Sequence, residues 1–172
     1  MKLAVVGRTF LALALLTSML SSSQAPPDQN FVGTVYDLDY LGNQGWTQAL
    51  LKTATGQTDL AATTKSEILQ AVLEAGILNA TSVSVTYRAG EPAELHSATL
   101  RPTPACREKG CVEEVRCASE GCFAKVTGYS EVRTTNPRAL GILLTAVQKK
   151  KAVEYLDVNQ QGEIVRVKIN IP

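Results

Sequence analysis

The sequence is poor in several features on which common enzyme active sites depend. It contains one histidine and one tryptophan, and aromatic residues make up only 5% of its 172 residues. It has no C-x-x-C pair, no G-x-S-x-G elbow and no glycine-rich phosphate loop. These absences argue against a thioredoxin-like redox enzyme, against hydrolases built on a nucleophile elbow and against dinucleotide-binding enzymes.

The sequence also lacks a strong charge of either sign. Lys and Arg total 17, Asp and Glu total 16, and the formal net charge is +1. Its one basic run, Lys149 to Lys151, falls at the expected end of a helix, where the helix dipole favours cations. Because a nucleic-acid-binding protein needs a basic face, we expect no nucleic-acid partner.

Long apolar runs are absent except near the N-terminus. Lys2 and Arg8 precede the apolar run "TFLALALLTSML", and the small residues "SSSQA" follow it. This order predicts a secretory signal peptide over residues 1–25, then a short linker over 26–30. Since a membrane-spanning helix needs roughly 20 apolar residues, we expect no membrane anchor after cleavage and a secreted or periplasmic location.

Two parts of the chain predict the same order of elements. In "TTKSEILQAVLEAG" and "NPRALGILLTAVQKK", apolar residues recur at helical spacing. Thr64 with Glu67, and Asn136 with Pro137, are typical of helix starts. Each helix precedes two alternating segments, "SVSVTY" and "ELHSATL" in one case, "AVEYLDV" and "EIVRVKINI" in the other. The sequence therefore predicts helix, strand, turn and strand twice.

The segments before the two helices also correspond. "TGQTDLAATT" starts at Thr55 and "TGYSEVRTT" at Thr127, which favours an internal duplication, with chance similarity as the alternative. The first part also has "GWTQALLKTAT", interpreted as a strand, and "FVGTVYDLDYLG", an alternating strand. The residues predicted to share one face of that alternating strand are Val32, Tyr36, Leu38 and Tyr40. We place a first unit at residues 31–103 and a second at 124–172.

These elements predict an α+β fold, mainly antiparallel β with two amphipathic helices. It is composed of two related β-rich units, each with strands on both sides of its helix. The first unit, with three strands, a helix and two strands, resembles in element order the oligomer- and sugar-binding OB barrel, including the one found in the binding subunits of secreted bacterial toxins. This resemblance is an analogy of order, since no sequence motif carries it. The alternative is a single curved antiparallel sheet with both helices on one face.

All four cysteines lie in "CREKGCVEEVRCASEGC", within the predicted connection 104–123. In an exported protein such a cluster predicts disulfides. Local pairing joins Cys106 to Cys111 and Cys117 to Cys122, whereas nested pairing joins Cys106 to Cys122 and Cys111 to Cys117. We favour local pairing because a glycine before each closing cysteine permits a tight turn. Zinc bound by all four thiolates is the alternative, although the spacing is not that of a zinc knuckle.

A few polar and aromatic residues are candidates for function. His96 and Ser97 are neighbours in a predicted strand, so they should face opposite sides, and we interpret His96 as a solvent-facing residue. Asp37 and Asp39 share a strand face and could serve a glycosidase or a cation, or simply form the solvated face. Trp46 follows the turn-rich "GNQG", where it could offer a platform to a sugar or protein, or fold into the core.

These observations favour an exported, non-enzymatic binding or adaptor protein that presents a β-rich surface to a protein or a glycan. Its candidate binding residues are Trp46, Asp37 and Asp39. We expect no cofactor and leave an oligomer open. The alternatives are a small extracytoplasmic hydrolase built around Asp37 and Asp39 or around His96, and a zinc-stabilised module that uses all four cysteines.

Overall fold

A computed structural model of the chain describes residues 25–42, 45–56, 59–102 and 107–169. The predicted signal peptide lies outside these residues, apart from Ala25. The secondary-structure elements of the described residues are, in chain order, β1 (Asp28–Leu41), β2 (Trp46–Lys52), β3 (Asp59–Thr64), α1 (Glu67–Leu78), β4 (Ser82–Arg88), β5 (Ala93–Leu100), β6 (Val112–Ala118), β7 (Gly121–Val126), β8 (Val132–Thr134), α2 (Pro137–Lys149), β9 (Val153–Val158) and β10 (Ile164–Ile169). Neither helix is long and apolar enough to cross a membrane.

The first five strands close into a barrel. β1 pairs with β2 and β4, β3 pairs with β2, and β4 pairs with β5, all antiparallel. A parallel pairing of β3 with β5, at Ala62 with Ala93 and Thr63 with Glu94, completes the ring. Helix α1 follows β3 and buries Leu69, Val72 and Leu73 in the core. The predicted α+β fold with OB-like order is confirmed, and the closure excludes a single open sheet.

The first helix begins two residues later than the sequence predicts. Thr64 is the last residue of β3, and its hydroxyl accepts a hydrogen bond from Ser66 N at 3.0 Å. Ser66 is the N-cap, since its Oγ accepts from Leu69 N at 3.4 Å. Asn136 caps α2 as predicted, and the hydroxyl of Thr134 accepts from Asn136 N at 3.0 Å. The two strand-to-helix junctions are therefore built in the same way.

The second unit repeats the order of elements of the first, but its last two strands form a separate two-stranded sheet that touches the meander at two places. β6, β7 and β8 form an antiparallel meander, and β9 pairs with β10. Val153 N donates to Gly110 O at 2.8 Å, which joins the start of β9 to the chain before β6. Arg133 N donates to Gly162 O at 2.8 Å beside a parallel bridge between Arg133 and Glu163. These contacts correspond to the β1–β4 and β3–β5 pairings of the first barrel.

Two unit boundaries differ from the prediction. The last three residues of the linker predicted at 26–30 belong to β1, because they pair with Thr86 to Arg88 of β4. The connection placed at 104–123 contains β6 and the start of β7, so the second unit begins before residue 124. The strand in "CVEEVRCA" is hard to recognise from the sequence. A register shift between Val112 and Glu114 interrupts the alternation of apolar and charged residues.

The two units share one sheet and one core. Ser97 to Leu100 of β5 pair with Val115 to Ala118 of β6, so the sheet runs from the first unit into the second. The buried residues of both units form a single hydrophobic cluster. The barrel and the second unit are therefore packed parts of one folded body.

A β-bulge changes the predicted faces of β1. The pairing register shifts between Val35 and Asp37, so one extra residue is inserted there and the alternation changes phase. Val35 is 2% exposed, whereas Val32 is 60% and Tyr36 is 43% exposed. Leu38 pairs with the buried Ala49 on the inner side. The prediction that these outward residues share a face with Leu38 was wrong.

Candidate functional site

A pocket of about 320 Å³ opens at one end of the first barrel. Its described lining residues are Leu41, Trp46, Thr63, Pro92 and Glu94. They come from the end of β1, the start of β2, β3, the β4–β5 turn and β5. The pocket thus lies between the β1–β2 and β4–β5 turns, the place where OB barrels hold their ligands.

Trp46 is the aromatic residue among those that line this pocket. It is half-buried and pairs across the strands with Leu41. The ammonium nitrogen of Lys65 lies 4.5 Å from the centre of the indole ring, within the range of a cation–π interaction. Trp46 is not among the fully buried core residues, so part of its surface remains available to a ligand.

A row of polar side chains crosses four strands next to Trp46. Asp39 pairs with Gln48, Gln48 with Thr63, and Thr63 with Glu94. Asp39 and Glu94 are exposed. The Thr63 hydroxyl donates to Ala93 O at 3.1 Å, so it is committed to the backbone. Asp39, Gln48 and Glu94 are therefore the polar groups that this row offers to a ligand.

Acidic residues continue toward the far end of the same sheet face. Asp37 pairs with Leu50, and Asp59 pairs with Lys52, whose ammonium nitrogen lies 5.3 Å from the centre of the Tyr36 ring. Partial burial of the Tyr36 phenol, followed by the nearby carboxylates of Asp59 and Asp37, raises the pKa of Tyr36 above its ordinary value. Asp59 and Asp37 therefore place negative charge close to the Tyr36 phenol.

We call this outward surface of β1, β2, β3 and the start of β5 the acidic face. Its defining residues are Tyr36, Asp37, Asp39, Trp46, Gln48, Lys52, Asp59, Thr63 and Glu94. Within the part of the chain that the structure describes, its four carboxylates form no ion pair or hydrogen bond. Asp37 and Asp39 lie on one face, as predicted, and the structure adds Trp46 to that face.

His96 lies at a different pocket, of about 480 Å³. Its Nδ1 is 3.4 Å from Asp28 Oδ1, and its side chain is 27% exposed. Ser97 lines the same pocket because a register shift at Thr86 and Tyr87 leaves His96 as an extra residue in β5. The expectation that His96 and Ser97 face opposite sides was therefore wrong. Ser119 also lines this pocket. Among the described residues, however, neither Ser97 nor Ser119 is hydrogen-bonded to His96.

Cys111, Cys117 and Cys122 are buried in the second unit. Cys117 and Cys122 are bonded to each other across the β6–β7 hairpin, with exposures of 0% and 1%. This bond rules out the nested pairing and confirms one half of the local pairing. Cys111 is buried and also disulfide-bonded, whereas Cys106 lies outside the described residues.

The disulfide also bears on the zinc alternative. It uses two of the sulfurs that a four-cysteine zinc site would need as thiolates. Among residues 25–42, 45–56, 59–102 and 107–169, no three His, Cys, Asp or Glu side chains are grouped so that they could hold a metal ion. The cysteines that are described therefore act as covalent cross-links inside the second unit.

Sequence reasoning did not identify Leu41, Lys65, Pro92 or Glu94 as site residues. Pro92 belongs to the turn "RAGEP", and the prediction of that turn was correct. Glu94 reaches the site through the parallel β3–β5 pairing, which joins residues about 30 positions apart and has no local sequence signal. Comparison with protein-family models, with curated proteins and with solved structures finds no match, so the geometry of the site carries the functional argument.

Proposed function

We propose that this chain is an exported, non-enzymatic binding protein that holds a protein segment or a glycan against the acidic face. The single observation that carries the proposal is the position of Trp46, which is half-buried and lines the pocket between the β1–β2 and β4–β5 turns. Aromatic side chains with one exposed face are common anchors in binding sites, because they bury a large apolar area at little conformational cost.

The chemistry of the pocket suits binding better than catalysis. Its described lining is mainly apolar, with Leu41, Trp46 and Pro92, and it holds one carboxylate, that of Glu94. General acid–base work requires a second titratable group or a nucleophile within hydrogen-bond reach of the reacting atom. The one hydroxyl of the described lining, on Thr63, is committed to Ala93 O.

Export is supported by two independent features. The N-terminal sequence has the basic, apolar and small-residue order of a signal peptide. The Cys117–Cys122 disulfide is the kind of bond that persists in oxidising compartments. Both features fit a protein that acts outside the cytoplasm.

The proposal is tested by replacing Trp46. Immobilised wild-type protein and the Trp46→Ala variant are compared in capture from the native extracytoplasmic fraction and on a glycan array. Because buried aromatic anchors dominate binding energies, we expect Trp46→Ala to weaken binding at least about tenfold. Tyr155→Ala, which removes an exposed aromatic side chain from the second unit, is the matched control. Equal binding by Trp46→Ala and wild type would contradict the proposal.

A small extracytoplasmic hydrolase is the competing proposal, because Asp28, His96 and Ser97 line one pocket. A histidine oriented by a carboxylate is the base of many serine hydrolases. In that case His96→Ala should abolish turnover of ester and glycoside substrates, and Asp37→Asn should do so if the acidic pair is catalytic. Turnover that persists in both variants would exclude the hydrolase.

A further inference from the structure

We infer that the acidic face binds an extended basic segment of a polypeptide, whose lysine or arginine side chains lie over Trp46 and beside Glu94. This inference rests on the proposed function and specifies its ligand. It follows from three features of the face: its unpaired carboxylates, its lysine-covered aromatic rings and its length.

The charges of the face favour a cationic ligand. Its four carboxylates belong to Asp37, Asp39, Asp59 and Glu94. Among the described residues, Lys52 and Lys65 lie over its rings, and Arg88 pairs with Glu94 across β4 and β5 while its guanidinium Nε lies 3.9 Å from Asp28. Elsewhere in the described residues, acidic side chains form ion pairs, such as that of Glu113 with Lys125 at 2.8 Å. Carboxylates left unpaired on one surface attract cations and repel anionic polymers.

Lysine ammonium groups already lie over the Trp46 and Tyr36 rings of the face. Lys65 Nζ lies 4.5 Å from the centre of the Trp46 ring, and Lys52 Nζ lies 5.3 Å from that of Tyr36. Both distances fall within the roughly 6 Å range in which a ring face attracts a cation. The protein's own lysines thus show which chemistry these rings accept. A ligand cation would displace Lys65 and gain the adjacent carboxylate of Glu94.

The length of the face fits a short extended peptide. Trp46 and Lys52 are the two ends of β2, six residues apart. At about 3.3 Å per residue they are roughly 20 Å apart, the span of about six residues of extended chain. A basic segment of that length could reach from Trp46 past the carboxylates to Tyr36.

The test titrates the full mature protein with three probes, of which the two peptides have capped termini. These are hexalysine as the basic peptide, hexaglutamate as the acidic peptide and chitohexaose as the neutral glycan. Trp46 is the only tryptophan, so its fluorescence reports directly on the site. We expect hexalysine alone to bind, and its affinity to fall about tenfold or more between roughly 50 and 500 mM NaCl because salt screens exposed charges.

Three variants give the inference its sharpest test, with affinities measured by calorimetry. Glu94→Gln should weaken hexalysine binding by about threefold to fivefold, as expected for an exposed ion pair. Lys65→Ala should strengthen it by a similar factor, because it removes a competing ammonium group from Trp46. Lys109→Ala is the matched control, since Lys109 lies over Tyr129 at 5.6 Å in the second unit and should leave the affinity unchanged.

The outcomes separate this inference from the proposed function. If chitohexaose or hexaglutamate binds in a Trp46-dependent way and hexalysine does not, the ligand class is wrong and the binding function stands. Weaker hexalysine binding by Lys65→Ala, or equal binding by Glu94→Gln and wild type, would also overturn the basic-segment inference. The proposed function itself would instead be contradicted if Trp46→Ala captured the native ligand as well as wild type does.

Discussion

At the scale of single residues, Gly110 has the most constrained position in the second unit. Its φ is +88°, a region that favours glycine. Its N–H donates to Thr127 O at 2.8 Å, and its carbonyl accepts from Val153 N at 2.8 Å. A Cβ added here would collide with the carbonyl oxygen of Val153. Gly110 therefore allows the start of β9 to approach the chain just before β6.

We predict that Gly110→Ala lowers the free energy of unfolding by about 2 kcal/mol or more, because it combines a disfavoured φ with a backbone collision. Chemical denaturation of wild type and variant measures the change. Gly141→Ala is the control, since a Cβ added to Gly141 in α2 would meet no atom within 4 Å. That substitution should raise stability by about 0.5–1 kcal/mol. A neutral Gly110→Ala would contradict this role.

Single residues also show what local sequence signals could predict. Trp46 was identified as a candidate because it follows a turn, and Asp37 and Asp39 because they alternate along a strand. Both signals involve residues close in sequence. The partners of Trp46 had no such signal, because Lys65 and Glu94 lie far from it along the chain. Their approach depends on how the strands pair.

At the scale of secondary-structure elements, the β6–β7 hairpin departs most from expectation. Its cysteines suggested a connection without a core, yet Val115, Cys117, Cys122 and Ala124 are all buried. Cys117 and Cys122 face each other in the strand register, which makes the local bond geometrically simple. The spacing of the cysteines allowed both the local and the nested pairing, and only the hairpin selects the local one.

The pairing predicts a specific tryptic map without reduction. Trypsin cleaves after Arg116 and Lys125, so residues 117–125 form one peptide that contains both Cys117 and Cys122. We expect this peptide to gain two hydrogens on reduction and to carry no second peptide. The local pairing further predicts that residues 110–116 are linked to the peptide that contains Cys106. A peptide 117–125 joined to either of the others would contradict the structure.

Elements also show why alternation fails as a guide to which face is buried. Register shifts occur in β1 after Val35, in β5 at His96 and in β6 after Val112. Each adds a residue, so the side chains beyond it change faces relative to a regular strand. The sequence predicts that these segments are strands, because they are rich in β-forming residues and are bounded by turns. It does not predict the bulges, which depend on the partner strands.

At the scale of the whole molecule, the barrel and the second unit are expected to unfold together. β5 pairs with β6, and the buried residues of both units form one cluster. A shared sheet and core make it costly for one unit to unfold while the other stays intact, because the exposed interface would lose its apolar contacts.

We therefore predict a single cooperative transition. Trp46 fluorescence reports on the first barrel, and far-ultraviolet circular dichroism reports on both. In guanidinium chloride the two curves should coincide, and Gly110→Ala in the second unit should shift the Trp46 curve as much as the dichroism curve. Gly141→Ala should move both curves together in the opposite direction. Two separated transitions would show that the units fold independently.

The sequence alone determined the α+β class, both helices, most of the hairpins and the OB-like order of elements. These features arise from interactions between residues near one another in the chain, such as helical periodicity, capping and turn formation. The tertiary structure decided the rest: the closure of β3 on β5, the phase of each bulged strand and the Cys117–Cys122 bond. It also brought Leu41, Trp46, Thr63, Pro92 and Glu94 around one pocket. Such contacts join distant residues, and the strand pairing that creates them is set by packing of the whole core.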